Sequence, residues 1–280
     1  MASEHDRGCA TCTEVSAGGN QNLVSSSQWD GNWEKLRAPR PLRPWRSYLS
    51  WRFAQVFRAH IECGDRVLEV GCGGSKWLPY LANQLGAEVW GIDFSVQGTS
   101  SARAALNAAG ADGNIVLGDL FTTTEVPLGY FDVVWSGGFI EHFTDSVGTI
   151  RRMAEFVKPG GLMITEVPNM KGTIGHMYRI IDPEFLVQHV PLSPEELDEI
   201  HRGAGLKPIA PASYFGSLSL AVVNYSKLFG GHRRALAVFM RVLDAAQTMV
   251  TLPLWASRTS IETAAMSPYV LGVYRRPGQT

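Results

Sequence analysis

A doubly wound α/β sheet is the fold this chain predicts, and three observations carry that prediction. Short apolar runs of strand length alternate with longer mixed segments from residue 66 to residue 167, the pattern of a parallel sheet covered on both faces. The first run stops on a glycine turn and restarts as a helix, RVLEVGCGGSKWLPYLA (66–82), which leaves backbone N–H groups facing a ligand. The length of 280 residues, 45% of them hydrophobic, suits one large domain with insertions.

Element by element, residues 1–28 are aperiodic and rich in Ser, Gly, Asn and Thr, so they predict an unstructured tail. An aromatic, basic stretch from Trp29 is broken by prolines before a helix starting near Trp45. VLEV (67–70) is a strand, and KWLPYLANQLG (76–86) a helix with Pro79 in its first turn, where a missing N–H costs little. EVWGID (88–93), NIVLGD (114–119) and FDVVWS (131–136) are strands, and the helix 96–110 between the first two ends at Gly110. A helix from about Glu141 to Val157 leads through the turn KPGG into strand LMITEV (162–167). Ser193 and Glu196 form a capping box for the helix in LSPEELDEIHRGAG (192–205). Pro208 and Pro211 restrict the following strand-like run to an edge. Residues 216–266 read as largely helical, and YVLGVYR (269–275) as a closing strand.

Composition excludes several function classes. Lys plus Arg (25) and Asp plus Glu (26) nearly cancel, so the chain as a whole lacks a nucleic-acid signature. Four cysteines, Cys9, Cys12, Cys63 and Cys72, make no disulfide scaffold and fit a cytoplasmic protein. The polar opening MASEHDRGCATCTE has no apolar signal core. The apolar stretch 236–255 carries Arg241 and Asp244, and reads as core packing, a subunit contact or a pocket wall rather than a membrane span. His5, Cys9 and Cys12 have no evident fourth ligand, so no metal site is read there.

Two ligand classes suit the glycine turn. A dinucleotide wants G-x-G-x-x-G, but Lys76 stands where the third glycine should be. The alternative places an acid before the turn: Glu69, then Gly71 and Gly73. A carboxylate there suits an ammonium group.

With EVGCGG, Asp93 closing the second strand, GDL (118–120), FDVVWSGGFIEHF (131–143) and VKPGGLMITEVPN (157–169), the chain resembles the class I S-adenosylmethionine-dependent methyltransferases. The resemblance covers roughly residues 60–215 and is nearest to the small-molecule branch that includes ubiquinone-biosynthesis methyltransferases. It implies a Rossmann-like, seven-stranded sheet whose last, antiparallel strand lies between strands five and six, with helical cap insertions. It also implies S-adenosyl-L-methionine as cofactor, leaving S-adenosyl-L-homocysteine. By the resemblance Glu69, Gly71 and Gly73 hold the amino-acid moiety, Asp93 the ribose hydroxyls, and Phe94, Asp119 and Leu120 the adenine. Ser136 and Gly137, with Gly138, approach the sulfonium. Where the family has a further glycine this chain has Ser75, so contact at that point would run through a hydroxyl.

On this reading residues 29–280 form one methyltransferase domain. Its parts are a cap (29–62), a cofactor-binding core (63–167), substrate-side insertions (168–192 and 216–266) and the last strand (267–280). Transfer to oxygen needs a base, and the candidates are His142, His176 and His189, with Tyr178 and Glu166 able to orient an acceptor. The insertions are rich in Trp, Phe, Tyr, Met and Leu and suit a mid-sized, partly apolar acceptor, preferably a secondary-metabolite intermediate, with O-methylation favoured over N or C. The basic run Lys35, Arg37, Arg40, Arg43, Arg46, Arg52 and Arg58 keeps an RNA-binding or RNA-modifying alternative open. A non-catalytic cofactor-binding subunit is the third reading, and the cap helices could join a homo-oligomer.

Overall fold

The computed structural model describes residues 20, 22–33, 42–44 and 47–278. Its strands are β1 (Arg66–Val70), β2 (Glu88–Asp93), β3 (Asn114–Leu117), β4 (Phe131–Gly137), β5 (Val157–Pro168), β6 (Lys207–Pro208), β7 (Ser213–Phe215) and β8 (Tyr269–Arg275). They form one sheet in the order β3-β2-β1-β4-β5-β8-β6, with β7 also on β8. The first five run parallel, whereas β8 is antiparallel to β5 and to both short edge strands. The count is eight rather than seven because the proline-bearing edge, with Pro208 and Pro211, breaks into two pieces.

The helices are α1 (Ser26–Trp33), α2 (Tyr48–His60), α3 (Trp77–Tyr80), α4 (Val96–Ala109), α5 (Ser146–Phe156), α6 (Thr173–Ile181), α7 (Pro183–Leu186), α8 (Pro194–Gly203) and α9 (Arg233–Ser257). Alternating strand residues face opposite sides, so Val134 joins one core layer and Val133 and Trp135 the other. A third cluster, outside the sheet, packs Met170, Ile174 and Tyr178 against Val223 and Tyr225. Phe239 and Leu243 of α9 rest on this cluster.

Four expectations need correction. The unstructured tail does not reach residue 28: α1 begins at Ser26, Asn22 bridges to Phe143, and the Asn20 amide donates to Thr149 Oγ1 at 2.9 Å. The long helix from Glu141 is a 3₁₀ turn (Ile140–His142) and then α5, separated because Asp145 caps the Gly148 N–H at 2.8 Å. KPGG is no turn before a strand but an irregularity inside β5, where the register jumps from Phe131↔Val157 to Val133↔Leu162. Residues 216–266 hold one long helix, α9, after two 3₁₀ turns.

By length and composition alone, α9 qualifies to cross a membrane despite Arg241 and Asp244, and little of it is buried. Of the basic run, Arg52 pairs with Glu262 at 2.7 Å and Arg58 donates to the Tyr80 hydroxyl at 3.1 Å. Both tie α2 to the body. Lys35, Arg37, Arg40 and Arg46 lie outside the described residues, as do His5, Cys9 and Cys12.

Candidate active site

The glycine turn after β1 is built by short-range hydrogen bonds. Gly71 has φ +74°, and a Cβ there would lie 2.6 Å from Phe139 Cδ2, so both conformation and space demand glycine. The Gly71 and Cys72 N–H groups donate to the Ile92 carbonyl, at 2.9 and 3.1 Å. Asp93 closes β2 with one oxygen accepting from the Gly73 N–H and the other from the Ser95 N–H, both at 2.8 Å. Burial raises the Asp93 pKa, and these two donors oppose the rise.

Glu69 is buried, and its pKa is pushed up to about 7 by desolvation, against the Ser75 hydroxyl that donates to Oε2 at 2.5 Å. That hydroxyl also accepts from the Trp77 and Leu78 N–H groups at 3.0 and 3.2 Å. Ser75 thus joins Glu69 to the start of α3 while also lining the central cavity. Asp119 caps the Phe121 N–H at 2.8 Å and is exposed.

Three cavities run in a row across the carboxyl ends of these strands, where open α/β sheets place ligands. The first, about 70 Å³, is lined by Asp93, Phe94, Asp119 and Leu120. The central one, about 430 Å³, spans Glu69, Gly71, Gly73, Lys76 and Asp93 to Gly137 and His142, with Trp29, Phe53, Trp135 and Phe139 as walls. The third, about 270 Å³, is lined by Gly137, Gly138, Glu141, Glu166 and His189 under Tyr178 and Phe185. Asp30 of α1 accepts from the Ser95 hydroxyl at 2.5 Å and the Gln97 N–H at 3.1 Å. This ties α1 to the start of α4 and sets Trp29 over the cleft.

Gly137 and Gly138 sit where the central and third cavities meet. A methyl group on Gly137 would lie 2.7 Å from the Trp135 ring and 3.0 Å from Glu166 Oε2; Gly138, at φ +65°, would place one 3.5 Å from Glu141 Oε1. The Ser136 side chain turns away from the cleft, so only its backbone could reach a ligand there. It points to the opposite sheet face from Trp135 and Gly137, is fully buried, has no partner for its hydroxyl among the described residues and lines none of the three cavities.

Two of the three candidate bases meet here. The backbone around His142 is clamped from both sides. The Leu23 N–H donates to the His142 carbonyl at 2.8 Å, and the Val190 N–H to that of Glu141 at 2.7 Å. His142 Nδ1 donates to the Gln188 carbonyl at 2.8 Å and His189 Nδ1 to that of Phe185 at 2.7 Å. Because a carbonyl only accepts, each imidazole carries its proton on Nδ1 and keeps an Nε2 lone pair. The two rings lie 4.5 Å apart. Burial pushes His142 down to about 3 and lowers His189, so both are neutral and weakly basic. His176 is a correction: it is exposed on the outer side of α6, beside Arg179 Nη1 at 3.0 Å, and lines no cavity of this cleft.

Two acids complete the cluster. Burial lifts Glu141 to about 8. It raises Glu166 well above the usual carboxylate range, and Glu141 adds to that rise. Glu141 Oε2 and Glu166 Oε1 have no hydrogen-bond partner among the described residues. Sequence reading passed over Glu141, and its one signal was adjacency to His142 in GGFIEHF. Trp29 and Tyr269 carry no motif, and only the fold brings them to the cleft beside Trp135.

Comparison with known proteins agrees with this architecture. A family model described as a methyltransferase domain matches residues 68–165. The chain is 34% identical over 197 residues to a ubiquinone biosynthesis O-methyltransferase of Neisseria meningitidis, covering 65% of this chain and 78% of that one. With the enzyme of that name from Pectobacterium carotovorum it shares 29% over 185 residues, covering 65% and 73%. Among solved structures, Haemonchus contortus phosphoethanolamine N-methyltransferase 2 superposes with a TM-score of 0.56 at 16% identity, over 91% of this chain and 58% of that one. Geranyl diphosphate C-methyltransferase of Streptomyces coelicolor gives 0.53 at 16%, over 82% and 80%. The chain belongs to the class I S-adenosylmethionine-dependent methyltransferases. It is an enzyme of that class, with S-adenosylmethionine as its cofactor.

Proposed function

We propose that the chain methylates a hydroxyl oxygen of a mid-sized, partly apolar small molecule, a secondary-metabolite intermediate by preference. One observation carries this reading. Immediately beyond Gly137 and Gly138 the cleft ends in a buried polar cluster of Glu141, His142, Glu166 and His189, roofed by aromatic rings. Such a wall suits an acceptor with an apolar body and one proton-bearing polar group.

The residues at the other end fit the cofactor. Glu69 faces the ammonium group, Asp93 the ribose hydroxyls, and Phe94, Asp119 and Leu120 enclose the adenine. When bound, S-adenosylmethionine supplies an electrophilic methyl group. The protein positions and excludes water. Trp29, Phe53, Trp135 and Phe139 exclude solvent, and the backbone at Gly137 and Gly138 leaves room for donor and acceptor to meet. The Nε2 lone pair of one imidazole accepts the hydrogen bond of the acceptor hydroxyl and orients it before the proton leaves. Glu141, near neutrality, takes the proton better than either imidazole, since an effective base has a pKa close to the working pH. The single-domain division, with α6, α7 and α9 on the substrate side, belongs to the same proposal.

The test is a mass-spectrometric screen of phenols, catechols, amines and carbon acids with S-adenosylmethionine. Products heavier by one methyl group among the hydroxyl compounds alone support the reading; products only among amines or carbon acids overturn it.

A further inference from the structure

We propose that Lys76 is the carboxylate-binding residue of the central cavity. The proposal rests on the reading that places the cofactor's amino-acid end at Glu69, and deepens it.

The glycine turn cannot hold a carboxylate with its own backbone, because its N–H groups already have acceptors within the protein. Gly71 and Cys72 donate to the Ile92 carbonyl, and Gly73 donates to Asp93. Gly74 donates to the Gly98 carbonyl at 3.4 Å and Ser75 to the Cys72 carbonyl at 3.0 Å. At the start of α3 the Trp77 and Leu78 N–H groups donate to the Ser75 hydroxyl. The donors that such a turn usually offers to an anion are engaged, so a carboxylate here needs a side-chain cation.

Lys76 is that cation. It stands between Ser75, which donates to Glu69, and the first residue of α3. Among the described residues it is the only lysine or arginine lining the central cavity, against the three acids Glu69, Asp93 and Glu166. Lys158, Lys171 and Lys227 form ion pairs with acids. Lys76 forms none among the described residues, and its Nζ lies 6.0 Å from the centre of the Trp77 ring.

The acids nearest in charge to Lys76 are poor counter-ions. Burial lifts Glu69 to about 7 and raises Glu166 well above the usual carboxylate range, so neither carries a full negative charge at neutral pH. Desolvation lowers the Lys76 pKa against the pull of both acids, and an added anion raises it again.

A carboxylate can come from two sources. The cofactor carries one on the same carbon as its ammonium group, and Glu69 beside Lys76 offers opposite charges to such a zwitterion. The cavity also reaches Gly137 and His142, so a carboxylate on the acceptor's apolar body can meet the same lysine. An ammonium on a flexible stem suits either as a point charge.

The test is calorimetry on the full chain as wild type, Lys76→Met and Lys76→Arg. Each is titrated with S-adenosylhomocysteine and with its decarboxylated analogue, which keeps the amine. If the cofactor supplies the carboxylate, Lys76→Met loses at least ~10-fold in affinity for S-adenosylhomocysteine and Lys76→Arg recovers to within ~threefold of wild type. The decarboxylated analogue binds wild type and Lys76→Met alike, which certifies the fold of the variant. In the second arm, protein saturated with S-adenosylhomocysteine is titrated with meta-hydroxybenzoate and meta-hydroxybenzamide. If the acceptor supplies the carboxylate, wild type prefers the acid and Lys76→Met abolishes the preference at unchanged S-adenosylhomocysteine affinity. Equal losses for S-adenosylhomocysteine and its decarboxylated analogue overturn the proposal, and so does a Lys76→Met variant that changes neither cofactor affinity nor acid preference. Glu69→Gln separates this proposal from the placement beneath it. A carboxylate effect at Lys76 beside unchanged affinity in Glu69→Gln keeps the proposal and defeats the placement, and the reverse result keeps the placement alone.

Discussion

The two ends of the cleft are built by different means. At the proposed cofactor end each of three acids is matched to nearby donors: Glu69 to Ser75, Asp93 to Gly73 and Ser95, Asp119 to Phe121, over sequence separations of 2 to 20 residues. At the acceptor end the parts come from far apart. His142 meets Gln188 across 46 residues, and its neighbours Trp29 and Tyr269 come from opposite ends of the chain. Buried carboxylate oxygens are left there without partners among the described residues. A site whose polar groups are satisfied by its own loop is preorganised before ligand arrives. One with orphaned groups is completed by what it binds.

This contrast can be broken or sharpened by mutation. The largest effect is expected from Gly71→Ala. A left-handed φ of +74° and a Cβ 2.6 Å from Phe139 force the turn to shift, and affinity for S-adenosylhomocysteine, read by calorimetry, should fall by at least ~100-fold. Retained affinity would mean the turn is not the cofactor site. Gly137→Ala should instead act on turnover, because its Cβ would meet the Trp135 ring and Glu166 at the junction of the two cavities. A fall in kcat of ~10–100-fold with cofactor affinity within threefold is expected; equal losses in both would erase the division.

His201 offers a control outside the cleft. It is fully buried, its Nδ1 donates to the Leu197 carbonyl at 2.8 Å, and it stacks on Tyr274 at 3.6 Å. Burial pushes its pKa down to about 3 from 6.5. Below pH 6.5 the unfolded chain takes up a proton that the folded chain refuses, so stability is lost as pH falls from 6.5 toward 3. The loss should reach a few kcal/mol, about 1.4 for each pH unit. Denaturant titration of wild type and His201→Gln from pH 7 to pH 4 checks this, and parallel curves would contradict it. The smallest effect belongs to His176→Ala, whose side chain is exposed on α6. Turnover should stay within twofold, and a larger drop would return His176 to the site.

The same contrast explains what the sequence made legible. Glu69, Gly71, Asp93 and Asp119 could be placed along the cleft because each sits at a strand end or in a glycine turn, and strand ends are local features. The side chain of Ser136 is out of the cleft by one step of strand alternation: Trp135 and Gly137 face the cleft, so the side chain between them cannot. His176 was misplaced because helix phase in a short insertion cannot be set without its packing partner. Glu141 escaped notice since nothing in GGFIEHF distinguishes a buried acid from a solvated one. Its environment comes from the segments around Leu23 and Val190.

The central claim is that one cleft has a cofactor end and an acceptor end with separable duties. It is tested most directly by titrating S-adenosylhomocysteine into the wild type, Asp93→Ala and His142→Ala by calorimetry. Wild type and His142→Ala should bind within threefold of each other, while Asp93→Ala, having lost the acceptor for the Gly73 and Ser95 N–H groups, should weaken by ~100-fold or more. Binding that survives in Asp93→Ala, or falls equally in both variants, would contradict the account.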